Sequence, residues 1–87
     1  MTVEQTRSYR GISVRAAIGY LENLGGEKVD ENTVEGTGWK ATLSAEQVGI
    51  GKTLKLTEVT VAFEGEDEES LDDLIESFRQ KAMRAGG

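Results

Sequence analysis

The last quarter of the chain, residues 67–87, constrains the fold most, because it combines a helical apolar stripe with a terminal glycine pair. Apolar side chains recur there at offsets of three, four, seven and eleven, which places them on one face of a helix. These side chains are Leu71, Leu74, Ile75, Phe78 and Ala82. An amphipathic helix must cover its stripe with other apolar surface. The rest of the chain is therefore expected to form a small sheet beneath it.

A second helix is predicted over residues 14–24. Its apolar positions with helical spacing are Val14, Ala17, Ile18, Leu21 and Leu24. Ser13 comes directly before them and is the expected N-cap. Gly25 and Gly26 end the helix, because glycine readily takes the left-handed conformation found just past a helix end. For the C-terminal helix, Ser70 with Asp73 predicts an approximate capping box.

The segment between the helices has the alternation of β-strands. Strands are predicted over residues 28–30, 33–35, 39–44, 47–50 and 53–63. The turn between the first two falls at Glu31 and Asn32. A short strand is also expected at residues 9–13, and the polar residues 1–7 are expected to be loose.

The longest predicted strand, residues 53–63, has two apolar phases. Leu54 and Leu56 share one parity, whereas Val59, Val61 and Phe63 share the other. A change of side-chain phase within one strand predicts a bulge or bend, here near Thr57 and Glu58.

The order of predicted elements indicates an α+β protein. At 87 residues the chain is expected to form one domain, with residues 86–87 as a diglycine tail. One antiparallel sheet with both helices on one face would bury both apolar stripes. No cysteine or histidine is present, which removes thiolate chemistry, the common metal ligands and the usual general base. We therefore expect no cofactor, no metal and no enzymatic activity.

The net charge of -6 limits the partners that this chain can bind. An acidic surface repels nucleic-acid phosphates and anionic lipids, so neither nucleic acid nor membrane is expected as a partner. The charge favours a basic protein surface. It fits both a halophilic source and an ordinary acidic cytoplasmic protein, and we expect a cytoplasmic location.

Two internal motifs could mark a binding site. Residues 49–53, Gly-Ile-Gly-Lys-Thr, resemble the end of a phosphate-binding loop, but Glu46 replaces the required first glycine and a strand pattern follows. A hairpin turn is the better interpretation. The single tryptophan, Trp39, could form a binding surface with Lys40, although a lone tryptophan is more often packed in or beside a core.

The terminal pair, Gly86 and Gly87, has a more specific chemical interpretation. A terminal carboxylate becomes electrophilic once ATP converts it to an acyl adenylate, and a sulfur nucleophile can then attack it. Two residues without side chains allow such a tail to thread a narrow activating site. The alternative is a helix stop that coincides with the chain end.

Three runs of residues carry a resemblance to a known family. They are Ala16-Ala17-Ile18-Gly19-Tyr20-Leu21-Glu22-Asn23-Leu24-Gly25-Gly26, Gly36-Thr37-Gly38-Trp39 and Lys81-Ala82-Met83-Arg84-Ala85-Gly86-Gly87. The chain resembles archaeal MoaD-related proteins, specifically the C-terminal domain found beside the small subunit of molybdopterin synthase. This implies a helix-grip (TBP-like) fold, β-α-β(4)-α. It also implies the company of ubiquitin-like sulfur carriers and modifiers that end in diglycine. Those proteins have the β-grasp order ββαββ, which is the alternative fold.

These observations leave three functional hypotheses. The first is a non-enzymatic sulfur carrier or modifier whose Gly87 is activated by an E1-like enzyme, with target proteins or molybdopterin synthase components as further partners. The second is a structural or binding domain that supports a molybdopterin-related sulfur carrier and uses the sheet surface around Trp39 or the helix stripe, with the diglycine incidental. The third is a small-ligand binder with a pocket between the sheet and the long helix.

Overall fold

A computed structural model describes residues 2–51 and 54–86 of the chain. The elements in chain order are β1 (Val3–Arg10), α1 (Val14–Asn23), β2 (Glu27–Asp30), β3 (Thr33–Gly36), β4 (Trp39–Ile50), β5 (Leu54–Gly65) and α2 (Glu68–Gly86). The five strands form one sheet in the order β1-β5-β4-β3-β2, and all neighbours pair antiparallel. The predicted α+β class and the order β-α-β(4)-α are confirmed. This order differs from the ββαββ order of the β-grasp alternative.

Both helices pack on the same face of the sheet. The sheet residues in the core are Val34, Ala41, Leu43, Val59, Val61 and Phe63, and they share one face in the pairing register. The helices add Ala17, Ile18, Leu21, Leu71, Ile75, Phe78 and Ala82 to the same cluster. In β4 and β5 the even-numbered residues point to the opposite face of the sheet, which neither helix covers.

The ring of Phe78 lies at the centre of this core and is fully buried. It makes edge-to-face contacts with Tyr9 at 4.9 Å, Phe63 at 5.7 Å and Tyr20 at 6.1 Å between ring centroids. Such contacts contribute about 0.5–1.5 kcal/mol each beyond the area that they bury. One side chain of α2 thus contacts β1, β5 and α1.

The ends of α1 agree with the predicted caps. The hydroxyl of Ser13 accepts a hydrogen bond from the N–H of Ala16 at 3.1 Å. At the other end Gly25 has a φ of 100° and donates to Glu22, while Gly26 donates to Leu21. This pair of bonds is the Schellman arrangement, which satisfies the last carbonyl groups of a helix.

The expectation of a loose N-terminus is wrong. Residues 3–10 form β1, which pairs with β5 along its whole length from Val3–Gly65 to Arg10–Glu58. The short strand predicted at residues 9–13 is therefore also wrong in its bounds. Because β1 is an edge strand with few apolar residues, its partner supplies its order and the local pattern does not reveal it.

The interpretation of residues 39–63 needs two corrections. The segments 39–44 and 47–50 form one continuous strand, β4, and no bulge interrupts its pairing with β5 from Trp39–Gly65 to Ile50–Leu54. Leu54 and Leu56 instead lie on the helix-free face and are 67% and 39% exposed. The predicted hairpin turn is confirmed by the Ile50–Leu54 pair.

The N-cap of α2 lies three residues before Ser70, which was the predicted N-cap. Asp67, not Ser70, is the cap: its carboxylate accepts from the N–H and from the hydroxyl of Ser70, both at 2.9 Å. These two hydrogen bonds, first the backbone one, lower the pKa of Asp67. Glu68 and Glu69 in the first turn add negative charge where the helix dipole favours it.

The hydroxyl of Tyr9 is buried and finds no hydrogen-bond partner among the described residues. Burial raises the pKa of this hydroxyl, against the lowering effect of the Arg7 and Arg79 charges. We expect Tyr9→Phe to raise the free energy of unfolding by about 1 kcal/mol, because it removes an uncompensated buried polar group and keeps the ring contact. Urea denaturation measures this. The matched control is Tyr20→Phe. The hydroxyl of Tyr20 is not a buried group without a hydrogen-bond partner, so its removal should change the free energy of unfolding little. A Tyr9→Phe protein clearly less stable than the wild type would contradict the interpretation.

The Asp67 cap predicts a specific acid sensitivity. The folded-state pKa lies below the unfolded value, so the stabilisation is present at neutral pH and is lost as the pH falls from about 4 through the folded pKa. Asn caps as well as Asp but does not titrate. We therefore expect Asp67→Asn to match the wild type near neutral pH and to lose less stability in acid. The check is the difference between the two unfolding free energies along the pH series, and a constant difference would refute the prediction.

Candidate functional site

Two candidate regions lie at opposite ends of α2. The diglycine is at its C-terminus, and Trp39 and Lys40 are near its N-terminus, where Glu66 donates its N–H to the carbonyl of Gly38 at 3.2 Å. At 1.5 Å per residue the helix from Glu68 to Gly86 is about 27 Å long. The two regions therefore cannot contribute to one small-molecule site.

The helix continues to Gly86, which was expected to lie in a free tail after the helix. Gly87 lies outside the described residues. Ala82 is buried in the core cluster, and the next residue, Met83, is 60% exposed.

The direction of α2 across the sheet follows from two of its apolar side chains. Leu71 packs on Gly65 at the end of β5, and Phe78 packs on Tyr9 and Phe63 further back along the sheet. The helix therefore runs from the end of β5 back toward the Tyr9–Val59 pair. Past residues 46 and 58 the sheet narrows to two strands, because β1 and β3 have ended.

Among the described side chains of α2, Glu76 and Arg79 form an ion pair on its outer surface. The guanidinium of Arg79 donates to both carboxylate oxygens of Glu76, at 3.1 and 3.2 Å. These hydrogen bonds lower the pKa of Glu76 and raise the pKa of Arg79. Both side chains are about half exposed, so the pair contributes little to stability.

Trp39 lies at the edge of the core, on the helix side of the sheet. Its indole ring lies against Gly36, its cross-strand partner, and against Gly26 at the end of α1. A methyl group at Gly36 would overlap the ring, and one at Gly26 would come within 2.6 Å of it. Glycine at these two positions is what lets the half-buried indole close this end of the core.

Lys40 points to the opposite face from Trp39, because adjacent residues of a strand alternate. Both residues nevertheless border an open cleft of about 400 Å³ around the β3–β4 turn. Its remaining lining is Thr2, Glu35, Gly36, Gly38, Glu64, Gly65 and Glu66. Lys40 lies between Glu35 and Glu64 in the register, so this cleft is mainly acidic.

Sequence analysis missed the acidic lining of this cleft. The position of Glu35 beside Lys40 could have been predicted from the sequence, because a two-residue turn fixes the pairing of these residues. Glu64 and Thr2 come from distant parts of the chain, and only the pairing of β5 with β4 and β1 brings them there. The space between the sheet and α2, where a ligand pocket was hypothesised, is occupied by Phe63, Phe78 and Leu71, each at most 1% exposed.

Within residues 2–51 and 54–86 no group of three or more carboxylates is arranged to hold a metal ion. Among the helices of that part of the chain, none is long and apolar enough to cross a membrane.

Comparison with known proteins identifies one family. A family model described as "Archaeal MoaD-like protein" matches residues 5–87. This match covers nearly the whole chain and includes the glycine pair. No curated protein matches the chain.

The packing of Trp39 on Gly36 can be tested with a matched pair of glycine substitutions. Gly36→Ala should lower the free energy of unfolding by about 1–3 kcal/mol and shift the tryptophan emission, because the indole must move. Gly19→Ala is the control: it adds the same methyl group in open space inside α1, and should raise stability by up to about 1 kcal/mol. Urea denaturation followed by fluorescence measures both. A Gly36→Ala protein with unchanged stability and emission would contradict this packing.

Proposed function

The chain belongs to the family of archaeal MoaD-like proteins, and on that premise we propose that it is a non-enzymatic, ubiquitin-like sulfur carrier or modifier with an activated C-terminus. The carboxylate of Gly87 attacks the α-phosphorus of ATP in an E1-like enzyme, pyrophosphate leaves, and an acyl adenylate forms. A sulfur nucleophile or a lysine amine then attacks the carbonyl carbon, and AMP leaves. Target proteins or molybdopterin synthase components are the proposed acceptors, in the cytoplasm.

The observation that carries this proposal is the change from a buried to an exposed side chain where the last helical turn begins. Ala82 belongs to the core cluster and Met83 is 60% exposed, and from there we propose that residues 83–87 unwind without uncovering the core. Five residues in an extended conformation span about 16 Å. Helix ends open at little cost in free energy. The helix reaches Gly86, but after unwinding the chain would present a tail of this length to an activating site.

The architecture and the charge support the same proposal. A long helix across one face of a twisted antiparallel sheet fits a helix-grip assignment, in which the core has a structural role and the chain end is available for chemistry. The net charge of -6 would steer the protein toward a basic surface on an activating enzyme.

The first experiment is intact-mass analysis after incubation with ATP and an E1-like enzyme from the same source. We expect a mass increase that matches adenylate, or oxygen-to-sulfur exchange when a sulfur donor is present. The matched control lacks only Gly87. No mass change in the full-length folded protein, or the same change in the deletion variant, would refute activation at Gly87.

Two substitutions at Met83 test whether the unwound tail is the substrate. Met83→Gly and Met83→Ala remove the same exposed side chain, but their helix propensities differ by about 1 kcal/mol. That difference corresponds to about a fivefold change in the unwound population, so the Gly variant should be adenylated faster than the Ala variant at subsaturating enzyme. Equal rates would mean that unwinding does not limit activation.

A second candidate function rests on the cleft around Trp39 and Lys40. In this alternative the protein is an accessory binding domain for a molybdopterin-related sulfur carrier, and the diglycine has no chemical role. The support is the position of a half-buried indole at the border of an open cleft. Removal of Gly87 would then leave partner binding intact, and the partner would change the Trp39 emission.

A further inference from the structure

The outer side of β1 is a long, unprotected sheet edge. The N–H of Gly11 donates to the carbonyl of Thr57 at 3.2 Å, which marks this position as a hydrogen-bonded pair. Because such pairs alternate along an antiparallel ladder, the odd-numbered residues of β1 bond to β5 and the even-numbered ones face outward. The outward backbone groups therefore belong to Glu4, Thr6, Ser8 and Arg10.

Two common devices that block an edge, proline and a bulge, are absent from β1. A third device, charged side chains, is present at Glu4, Arg7 and Arg10. The eight residues of β1 contain no proline, and their register with β5 is unbroken. One outward carbonyl, that of Thr6, accepts from the exposed guanidinium of Arg7 at 2.9 Å. A strand added at this edge would displace that one surface contact and would form backbone hydrogen bonds along the whole of β1.

The two ends of this edge carry opposite charges. A second copy that runs in the reverse direction would therefore place opposite charges beside each other. Glu4 lies directly opposite Glu64 on β5, and like charges in that position repel. At the other end of the strand, Arg10 lies opposite Glu58 and binds it at 3.0 Å. The edge thus has a carboxylate with no described countercharge opposite it at one end and a guanidinium at the other.

We propose that this edge is a homodimer interface, in which β1 pairs antiparallel with β1 of a second copy and Arg7 lies on the two-fold axis. This register places Glu4 beside the partner's Arg10 on both sides of the axis, and Thr6 beside the partner's Ser8. Each outward N–H and C=O of the four even-numbered residues finds a partner, and the two five-stranded sheets become one. The interface is independent of the proposed function of the C-terminus.

The register follows from symmetry and charge. A two-fold axis perpendicular to the sheet keeps each face, so even-numbered residues oppose even-numbered residues. Centring the axis on Thr6 would oppose Glu4 to Ser8, so Glu4 would gain no countercharge and Arg10 would keep only its Glu58 partner. Centring it on Arg7 makes both Glu4–Arg10 pairs, at the cost of facing two exposed guanidinium groups, each of which already donates to its own Gln5.

The first test compares the wild type with Glu4→Lys by sedimentation equilibrium. Within one copy, lysine opposite Glu64 replaces a repulsion with an attraction, so the fold should be as stable as the wild type or more stable. In the dimer the same lysine meets the partner's Arg10, so the dimer dissociation constant should rise about tenfold. A wild type that is monomeric at all concentrations, or a Glu4→Lys dimer as tight as the wild type, would overturn the proposal.

Disulfide trapping tests the register, and the chain has no cysteine to interfere. Position 7 would be a non-hydrogen-bonded pair on the axis, with Cα atoms about 4.5 Å apart, which suits a disulfide. With oxidised glutathione as the oxidant, Arg7→Cys should form a covalent dimer on a non-reducing gel. Thr6→Cys and Ser8→Cys are exposed neighbours whose copies would lie more than about 7 Å apart, so they should remain monomeric. Crosslinking at position 6 or 8, or none at position 7, would overturn the proposed pairing.

Discussion

The fold depends on one aromatic contact set, the ring of Phe78 against Tyr9, Tyr20 and Phe63. It joins the last helix to the first strand, the first helix and the last strand, β5. Because the chain is small, its core has a single layer of side chains between helices and sheet, and few contacts hold each element. The loss of one central ring would therefore loosen both ends of the chain at once.

The helices could be predicted from the sequence because their signals are local. Ser13, Gly25 and Gly26 lie within a few residues of the groups that they cap, and the predicted end of α1 was one residue too late. The start of α2 was misplaced because Asp67 and Ser70 are both good caps, and only the geometry of the carboxylate distinguishes them.

The strands were harder to predict because their order comes from distant partners. β1 has few apolar residues, and pairing with β5 gives it an order that its local pattern does not predict. The parity of Leu54 and Leu56 predicted a bulge near Thr57 and Glu58, but the strand is regular and both side chains lie on the face that no helix covers. An apolar residue in a strand indicates burial only where something exists to cover it.

The candidate sites were predictable to different degrees. The diglycine is evident from the sequence, but the extension of α2 to Gly86 is not, since glycine normally favours helix ends. That Trp39 and Lys40 face opposite sides follows from the strand period alone. The part of the cleft lining contributed by Thr2 and Glu64 requires knowledge of which strands are neighbours.

The pairing of β1 with β5 also has a consequence for the order of folding. β1 is synthesised first, but its partner lies near the other end of the chain, after α1 and three further strands. The strands from β2 to β5 follow one another as hairpins, so their pairing closes only short loops, whereas the β1–β5 pair closes a long one. On the ribosome the first strand must therefore wait for almost the entire chain, and it completes the sheet after the other strands have formed.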